Sequence, residues 1–64
     1  MMTAKDFRLA LAHLDLQQKQ LAELTGYAEE TISRYARGHR KVPIGLAKTI
    51  TAMLDQAQTH PMAL

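Results

Sequence analysis

Residues 18–37, QKQLAELTGYAEETISRYAR, decide the fold of this chain. Apolar residues recur there at the spacing of two short helices, which we predict over about 18–24 and 29–37. Ala22 is small enough for the two helices to cross closely. Gly26 can reverse the chain between them, because glycine adopts a positive φ without steric cost. The stretch therefore predicts two helices joined by a tight turn.

The second of these helices has two chemically different sides. Its apolar side consists of Ile32 and Tyr35, which we expect to pack against the first helix. Its opposite side is polar and carries Glu29, Glu30, Ser33, Arg34 and Arg37. Two helices arranged in this way can place the second one in the major groove of DNA.

Two further helices flank this pair and predict an all-α fold of four, or at most five, helices. The first is expected over about residues 3–14, with Thr3 as its N-terminal cap. Its apolar stripe follows the i, i+3, i+4, i+7 pattern and consists of Phe7, Ala10, Leu11 and Leu14. The last helix is expected from Pro43, a residue suited to a first helical turn, to about Gln58.

Size and composition exclude several classes of protein. Sixty-four residues suffice for one domain, which we place at 1–58 with a short C-terminal tail at 59–64. The chain has no cysteine and only three scattered histidines, so we expect no disulfide, metal or cofactor. No nucleophile–base pair or phosphate-binding loop points to an enzyme. Without a long apolar run or a signal pattern, the chain is expected to be cytoplasmic, with no membrane contact.

The charges are unevenly distributed although the net charge is only +2. Residues 31–54 contain five basic side chains and no acidic one, whereas residues 1–30 contain three basic and five acidic ones. Such a basic segment can bind a polyanion, although a solvated surface is the commoner reason for this pattern.

The two central helices resemble the helix-turn-helix of the Cro/phage-repressor (XRE-type) family at Gln18, Leu21, Ala22, Gly26, Ile32 and Gly38. The string YARGHRKVP at 35–43 is similar to a subgroup with an aromatic-x-x-Gly-x-x-x-Val-Pro signature. The resemblance covers about residues 7–54 and implies a lambda-repressor-like fold and a transcriptional regulator of double-stranded DNA. Small regulators of this kind resemble phage or prophage control proteins, including anti-CRISPR-associated autorepressors, and no small-molecule effector is expected.

The resemblance also implies roles for individual side chains. Base edges would be read by Glu29, Glu30, Ser33 and Arg34. Of these, Arg34 is the strongest candidate, because arginine can pair with both acceptors of a guanine. Phosphates would be contacted by Gln18, Arg37, Arg40 and Lys41, which position a protein on DNA without reading its sequence.

Two departures from the family pattern concern charged residues. Many relatives bury an arginine of the first helix against a glutamate of the third, and Leu11 and Ala36 occupy these positions here. Because both partners are replaced together, no unpaired buried charge would remain. Glu29 and Glu30 either stabilise the N-terminus of the third helix, where Ala28 cannot cap it, or accept a hydrogen bond from cytosine.

A module of this size buries little DNA surface, so we expect a repressor that binds an inverted-repeat operator as a homodimer. The surplus apolar residues of the last helix and the tail form the candidate dimer surface, namely Met53, Leu54, Ala57, Met62 and Leu64. Two alternatives are an antitoxin-like protein that binds a partner protein through the last helix, and an RNA-binding helical module. Tyr27 is expected to pack beside the turn, although its hydroxyl could instead reach a phosphate.

Overall fold

The chain folds into four helices in the computed structural model, which describes residues 2–59, with side chains described as far as Ala57. In chain order the helices are α1 (Ala4–Leu14), α2 (Gln18–Thr25), α3 (Glu29–Arg37) and α4 (Ile44–Thr59). No strand occurs in residues 2–59. The predicted all-α fold is therefore confirmed.

The ends of α4 differ by one residue from those predicted. Pro43 precedes the helix instead of opening its first turn, because its carbonyl accepts the first helical hydrogen bond, from the Ala47 N–H at 2.9 Å. Thr59, predicted in the tail, is the last residue of α4. The rest of the predicted tail, including Met62 and Leu64, lies outside the described residues.

The N-terminus of α1 is closed by a capping box, which confirms the predicted cap at Thr3. The Thr3 hydroxyl accepts a hydrogen bond from the Asp6 N–H at 3.1 Å, and the Thr3 N–H donates to the Asp6 carboxylate at 3.2 Å. Hydrogen bonds from the Thr3 backbone and hydroxyl lower the pKa of Asp6, because they stabilise the charged carboxylate.

The helices α1, α2 and α3 each end at a residue in the left-handed conformation. Gly26 (φ 82°) and Gly38 (φ 81°) end α2 and α3, as the sequence predicts. Asp15 (φ 56°) ends α1 and was not predicted for this role. Residues other than glycine rarely adopt a positive φ, because their Cβ crowds the backbone there.

Each helix contributes one large, fully buried side chain to the core, namely Phe7, Leu21, Ile32 and Ile50. Helix α2 packs against α3, and α1 packs against both α3 and α4. Val42 is also buried and attaches the loop between α3 and α4 to the core. Leu11 and Ala36 are 6% and 2% exposed, and no polar side chain among the described residues is buried. The family's buried ion pair is thus replaced by apolar packing.

Tyr35 connects α3 to two other parts of the chain. Its ring lies edge-on to that of Phe7 in α1 and to that of Tyr27 in the turn, with a centroid distance of 6.1 Å in both cases. Edge-to-face pairs of this kind stabilise by about 0.5–1.5 kcal/mol each beyond the burial of their area. The predicted packing of Tyr27 is confirmed by this contact, and the turn is held to α3 by it.

Candidate nucleic-acid interface

Helix α3 presents three long charged side chains on the side opposite the core. The buried side of the helix consists of Ile32, Tyr35 and Ala36. Consecutive residues advance by about 100° around a helix, so Glu30, Arg34 and Arg37 lie across from these residues. All three are exposed. The outer side of α3 is therefore polar and free of apolar side chains.

The four predicted base-reading residues do not share a single surface. Glu30 and Arg34 point away from the core, whereas Glu29 and Ser33 lie on one flank of α3. Ser33 is half-buried there, and Glu29 lines a groove with Gln18 and other residues at the beginning of α2. The structure thus brings Glu29 together with the predicted phosphate contact Gln18, and brings Glu30 together with Arg34.

Glu30 and Arg34 form an ion pair on the outer side of α3. Arg34 Nη2 donates to Glu30 Oε2 at 3.0 Å, and the two side chains are 48% (Arg34) and 77% (Glu30) exposed. Exposed pairs at i, i+4 stabilise a helix by only about 0.3–0.5 kcal/mol. The pair contributes little to stability, and it places the Arg34 guanidinium beside the Glu30 carboxylate, one turn towards the N-terminal end of α3. The spacing of the two residues in the sequence is a sufficient signal for this pair, although we did not predict it.

The first turn of α3 has no side-chain cap. Ala28 occupies the cap position without a side-chain hydrogen bond, and both Glu29 and Glu30 lie in the turn that follows. Carboxylates there interact favourably with the free N–H groups and the helix dipole. Both glutamates can thus stabilise the N-terminus of α3, whereas the glutamate that contacts Arg34 is Glu30.

Arg8 ties α1 to the C-terminal end of α3. Its Nη1 donates a hydrogen bond to the Ala36 carbonyl at 2.6 Å. Carbonyls in the last turn of a helix lack partners within the helix. The preceding carbonyls, of Arg34 and Tyr35, accept from the backbone N–H groups of Gly38 and His39. No local pattern in the sequence predicts the Arg8 contact, because the two residues are 28 positions apart.

The predicted phosphate contacts lie at both ends of α3. Gln18 is half-buried near its N-terminal end, whereas Arg37 and the exposed side chains of Arg40 and Lys41 lie at its C-terminal end. The loop that carries Arg40 and Lys41 lies next to the start of α1. Where this loop begins, a Cβ added to Gly38 would lie 3.4 Å from the Ala4 Cβ. Together with the buried side chain of Val42, this approach keeps the loop that carries Arg40 and Lys41 next to the core.

The dimensions of this surface suit a nucleic-acid groove. An α-helix with its side chains is about 10–12 Å across, and the major groove of B-DNA is about 12 Å wide. The dimensions of α3 therefore permit its polar outer side to enter such a groove. Within residues 2–59, no group of three or more His, Asp or Glu residues could hold a metal ion, and no helix is long and apolar enough to cross a membrane.

Comparison with known proteins identifies the family to which the pair α2 and α3 belongs. A family model described as helix-turn-helix, of the XRE/lambda-repressor-like type, matches residues 7–55. No curated protein matches the chain, and no solved structure matches it either. The matched range contains α2 and α3 completely, together with the loop that carries Arg40 and Lys41. The chain therefore belongs to the XRE/lambda-repressor-like helix-turn-helix family of DNA-binding transcription regulators.

Proposed function

We propose that this protein is a sequence-specific repressor that binds an inverted-repeat operator as a homodimer, with α3 in the major groove. The observation that carries this proposal is the outer side of α3, where an exposed arginine stands opposite the core between potential phosphate contacts at both ends of the helix. The simplest case is autoregulation, in which the operator lies upstream of the protein's own gene.

Arg34 is the residue best suited to reading a base. It extends from the last turn of α3 on the side opposite Ile32, and its side chain is 48% exposed. A guanidinium can donate two parallel hydrogen bonds to O6 and N7 of guanine, which discriminates against other bases by about 1–3 kcal/mol. We assign recognition of a guanine in each half-site to this side chain.

Phosphate contacts would set the register of α3 on the duplex. Gln18 lies towards the N-terminal end of the helix, and Arg37, Arg40 and Lys41 lie at its C-terminal end. Each phosphate neutralised by a basic side chain contributes about 0.9 to the slope of log K against log salt concentration. These residues would therefore raise affinity for all duplexes and leave the preference among sequences to α3.

A homodimer would bring two such modules onto one operator. Single modules of this kind bury only about 600–1,000 Å² of protein surface on DNA, so affinity rises when two half-sites are bound together. Half-sites one helical turn apart would be separated by roughly 34 Å. In α4, Ala57 is exposed, and Met53 and Leu54 are half-buried. Leu54 packs in part against the core, which leaves less of its surface for a partner.

The proposal is tested by selecting binding sites from a random duplex pool and measuring affinity for the selected site and for a scrambled duplex. Arg34→Ala should weaken binding to the selected site by roughly 5- to 150-fold, because the guanine contact is lost, and should weaken binding to the scrambled duplex much less. Arg40→Ala and Lys41→Ala are the comparison: each should weaken binding to both duplexes and lower the salt slope by about 0.9.

Two results would contradict the proposal at different levels. If Arg34→Ala retains the full preference for the selected site, the guanine contact is wrong and the docking of α3 must be revised. If no duplex motif is selected at all, sequence-specific DNA binding is wrong. Selection from a random RNA pool would then favour the RNA-binding alternative.

A further inference from the structure

We propose that Glu30 determines sequence specificity by acting through Arg34: it holds the Arg34 guanidinium towards the N-terminal end of α3, where it can meet a base edge and is kept from flanking phosphates. This inference rests on the proposed function, and in particular on Arg34 as the base-reading residue. It assigns to Glu30 a positioning role that differs from both helix capping and direct contact with cytosine.

The geometry of the ion pair supports this role. Glu30 lies one turn before Arg34 on the outer side of α3, and its Oε2 accepts from Arg34 Nη2 at 3.0 Å. The Arg34 side chain is thus drawn towards the N-terminal end of α3, and N-terminal residues of recognition helices are the ones that contact base edges. A guanidinium has five N–H donors, so the contact with Glu30 leaves donors available for O6 and N7 of guanine.

The pair also reduces the freedom of a long side chain. An unrestrained arginine samples many rotamers, and this freedom is lost when its planar group docks on a base. Glu30 restricts the guanidinium before DNA arrives, so less freedom remains to be lost in the specific complex. The restriction is partial, because both side chains are well exposed and a surface ion pair is weak.

The charge of Glu30 acts in the same direction. A carboxylate on the face that meets DNA is repelled by phosphates. Glu29 in the same turn shares this general effect, whereas no acidic residue occurs from Thr31 to Leu54. The repulsion weakens binding to every duplex. Without the ion pair, Arg34 could make one more phosphate contact in a non-specific complex. The ion pair with Glu30 opposes this contact. Specificity is a difference between affinities, and Glu30 increases it mainly by lowering the non-specific one.

Glu29 provides a matched control for Glu30. It is the same residue type in the same first turn of α3, it is also exposed, and it has the same favourable interaction with the helix dipole. Its side chain, however, lines the groove beside Gln18. Among the described residues, the carboxylate that forms an ion pair with Arg34 is that of Glu30. A capping or general charge effect should therefore be common to both glutamates, and an effect through Arg34 should belong to Glu30.

The experiment compares Glu30→Gln and Glu29→Gln, each in the wild-type and in the Arg34→Ala background, by fluorescence anisotropy on the selected and scrambled duplexes. We expect Glu30→Gln to tighten binding to the scrambled duplex and to lower the ratio of the two affinities by roughly 2-fold, the factor that an exposed i, i+4 ion pair can supply. Glu29 is not part of the ion pair with Arg34, so any change that Glu29→Gln makes in the ratio should persist in the Arg34→Ala background. In the Arg34→Ala background, Glu30→Gln should no longer change the ratio.

The inference is overturned if Glu30→Gln leaves the ratio unchanged, or if its effect on the ratio persists in the Arg34→Ala background. These results leave the proposed function standing, provided that the wild-type protein selects a duplex motif and Arg34→Ala loses the preference for it. A wild-type protein that selects no duplex would overturn the proposed function and this inference together. Thermal unfolding of the two single glutamate variants verifies that both are folded to the same extent.

Discussion

Asp15 holds a backbone conformation that is unfavourable for an aspartate. With φ 56° and ψ 41°, it ends α1 in the left-handed region, where its N–H bonds to the Ala12 carbonyl at 3.1 Å. The next N–H, of Leu16, bonds to the Leu11 carbonyl at 2.9 Å and completes the helix end. The carboxylate of Asp15 also lies at the negative end of the dipole of α1. The positive φ of Asp15 and the negative charge at the C-terminal end of α1 both lower the stability of the folded state.

Replacing Asp15 with glycine should therefore stabilise the protein. We expect Asp15→Gly to raise the free energy of unfolding by about 1 kcal/mol, because glycine adopts a positive φ without the Cβ penalty. For a chain of this size, such a gain corresponds to an increase in Tm of about 4–8 °C. Urea and thermal denaturation monitored by circular dichroism measure both quantities.

Asp15→Asn separates the two effects in the same assay. Asparagine removes the charge at the end of α1 and tolerates a positive φ better than most residues, so a smaller gain is expected. An unchanged or lower Tm for Asp15→Gly would show that the backbone conformation of Asp15 is not the source of instability.

At the level of the helices, α3 is held by contacts that come from three other parts of the chain. Tyr35 meets aromatic rings from α1 and from the turn, Gly38 closes the C-terminal end, and Arg8 reaches the Ala36 carbonyl. The apolar contacts set the angle of the helix, and the Arg8 hydrogen bond ties its last turn to α1. The outer side can carry exposed charges because the opposite side supplies the stability.

Removal of the Arg8 side chain should loosen the end of α3. We expect Arg8→Ala to lower the free energy of unfolding by about 1–2 kcal/mol, since hydrogen bonds from charged groups are stronger than neutral ones and this one is partly buried. Hydrogen exchange should become faster at the amides of Gly38 and His39, which bond to carbonyls of the same turn.

Lys5→Ala is the control for this prediction. Lys5 is an exposed base one turn earlier on α1, so its removal changes the charge equally and should leave both amides protected. If Arg8→Ala and Lys5→Ala change the free energy of unfolding and the exchange rates to the same extent, Arg8 stabilises the protein through its charge and not through the hydrogen bond to Ala36.

At the scale of the whole molecule, the core is small and apolar surface remains outside it. Buried side chains come from all four helices, yet Ile44, Leu24 and Leu9 are 66%, 65% and 52% exposed. Chains of this length often gain stability by association. The last turns of α4 carry Met53, Leu54 and Ala57, and the exposure of Ala57 allows a substitution there without disturbing the core.

We expect sedimentation equilibrium to show a concentration-dependent dimer, and Ala57→Glu to shift it to monomer, because a charge would then be buried in the interface without a partner. Leu9→Glu, which places the same charge on exposed surface of α1, should leave the dimer intact. The monomeric variant should also lose cooperative binding to the inverted repeat. A wild-type protein that stays monomeric at high concentration would contradict the palindromic operator.

The local features of this protein were determined by its sequence alone. The helices, the cap at Thr3, the glycine ends at Gly26 and Gly38 and the buried positions of α3 all follow from spacing and backbone preference. Such features depend on residues within about one or two turns of each other, and therefore leave a periodic signal in the chain. The Glu30–Arg34 pair belongs to this group, because its i, i+4 spacing is also local.

Only the tertiary structure decided which distant side chains meet. Arg8 reaches Ala36 across 28 positions, Glu29 lines the same groove as Gln18, and Leu54 packs on the core. These contacts depend on the angles at which whole helices cross, and each angle is the joint result of packing by many side chains. The sequence could therefore place a polar outer side on α3, but the position of Glu29 beside the beginning of α2 arose from the packing of α2 and α3.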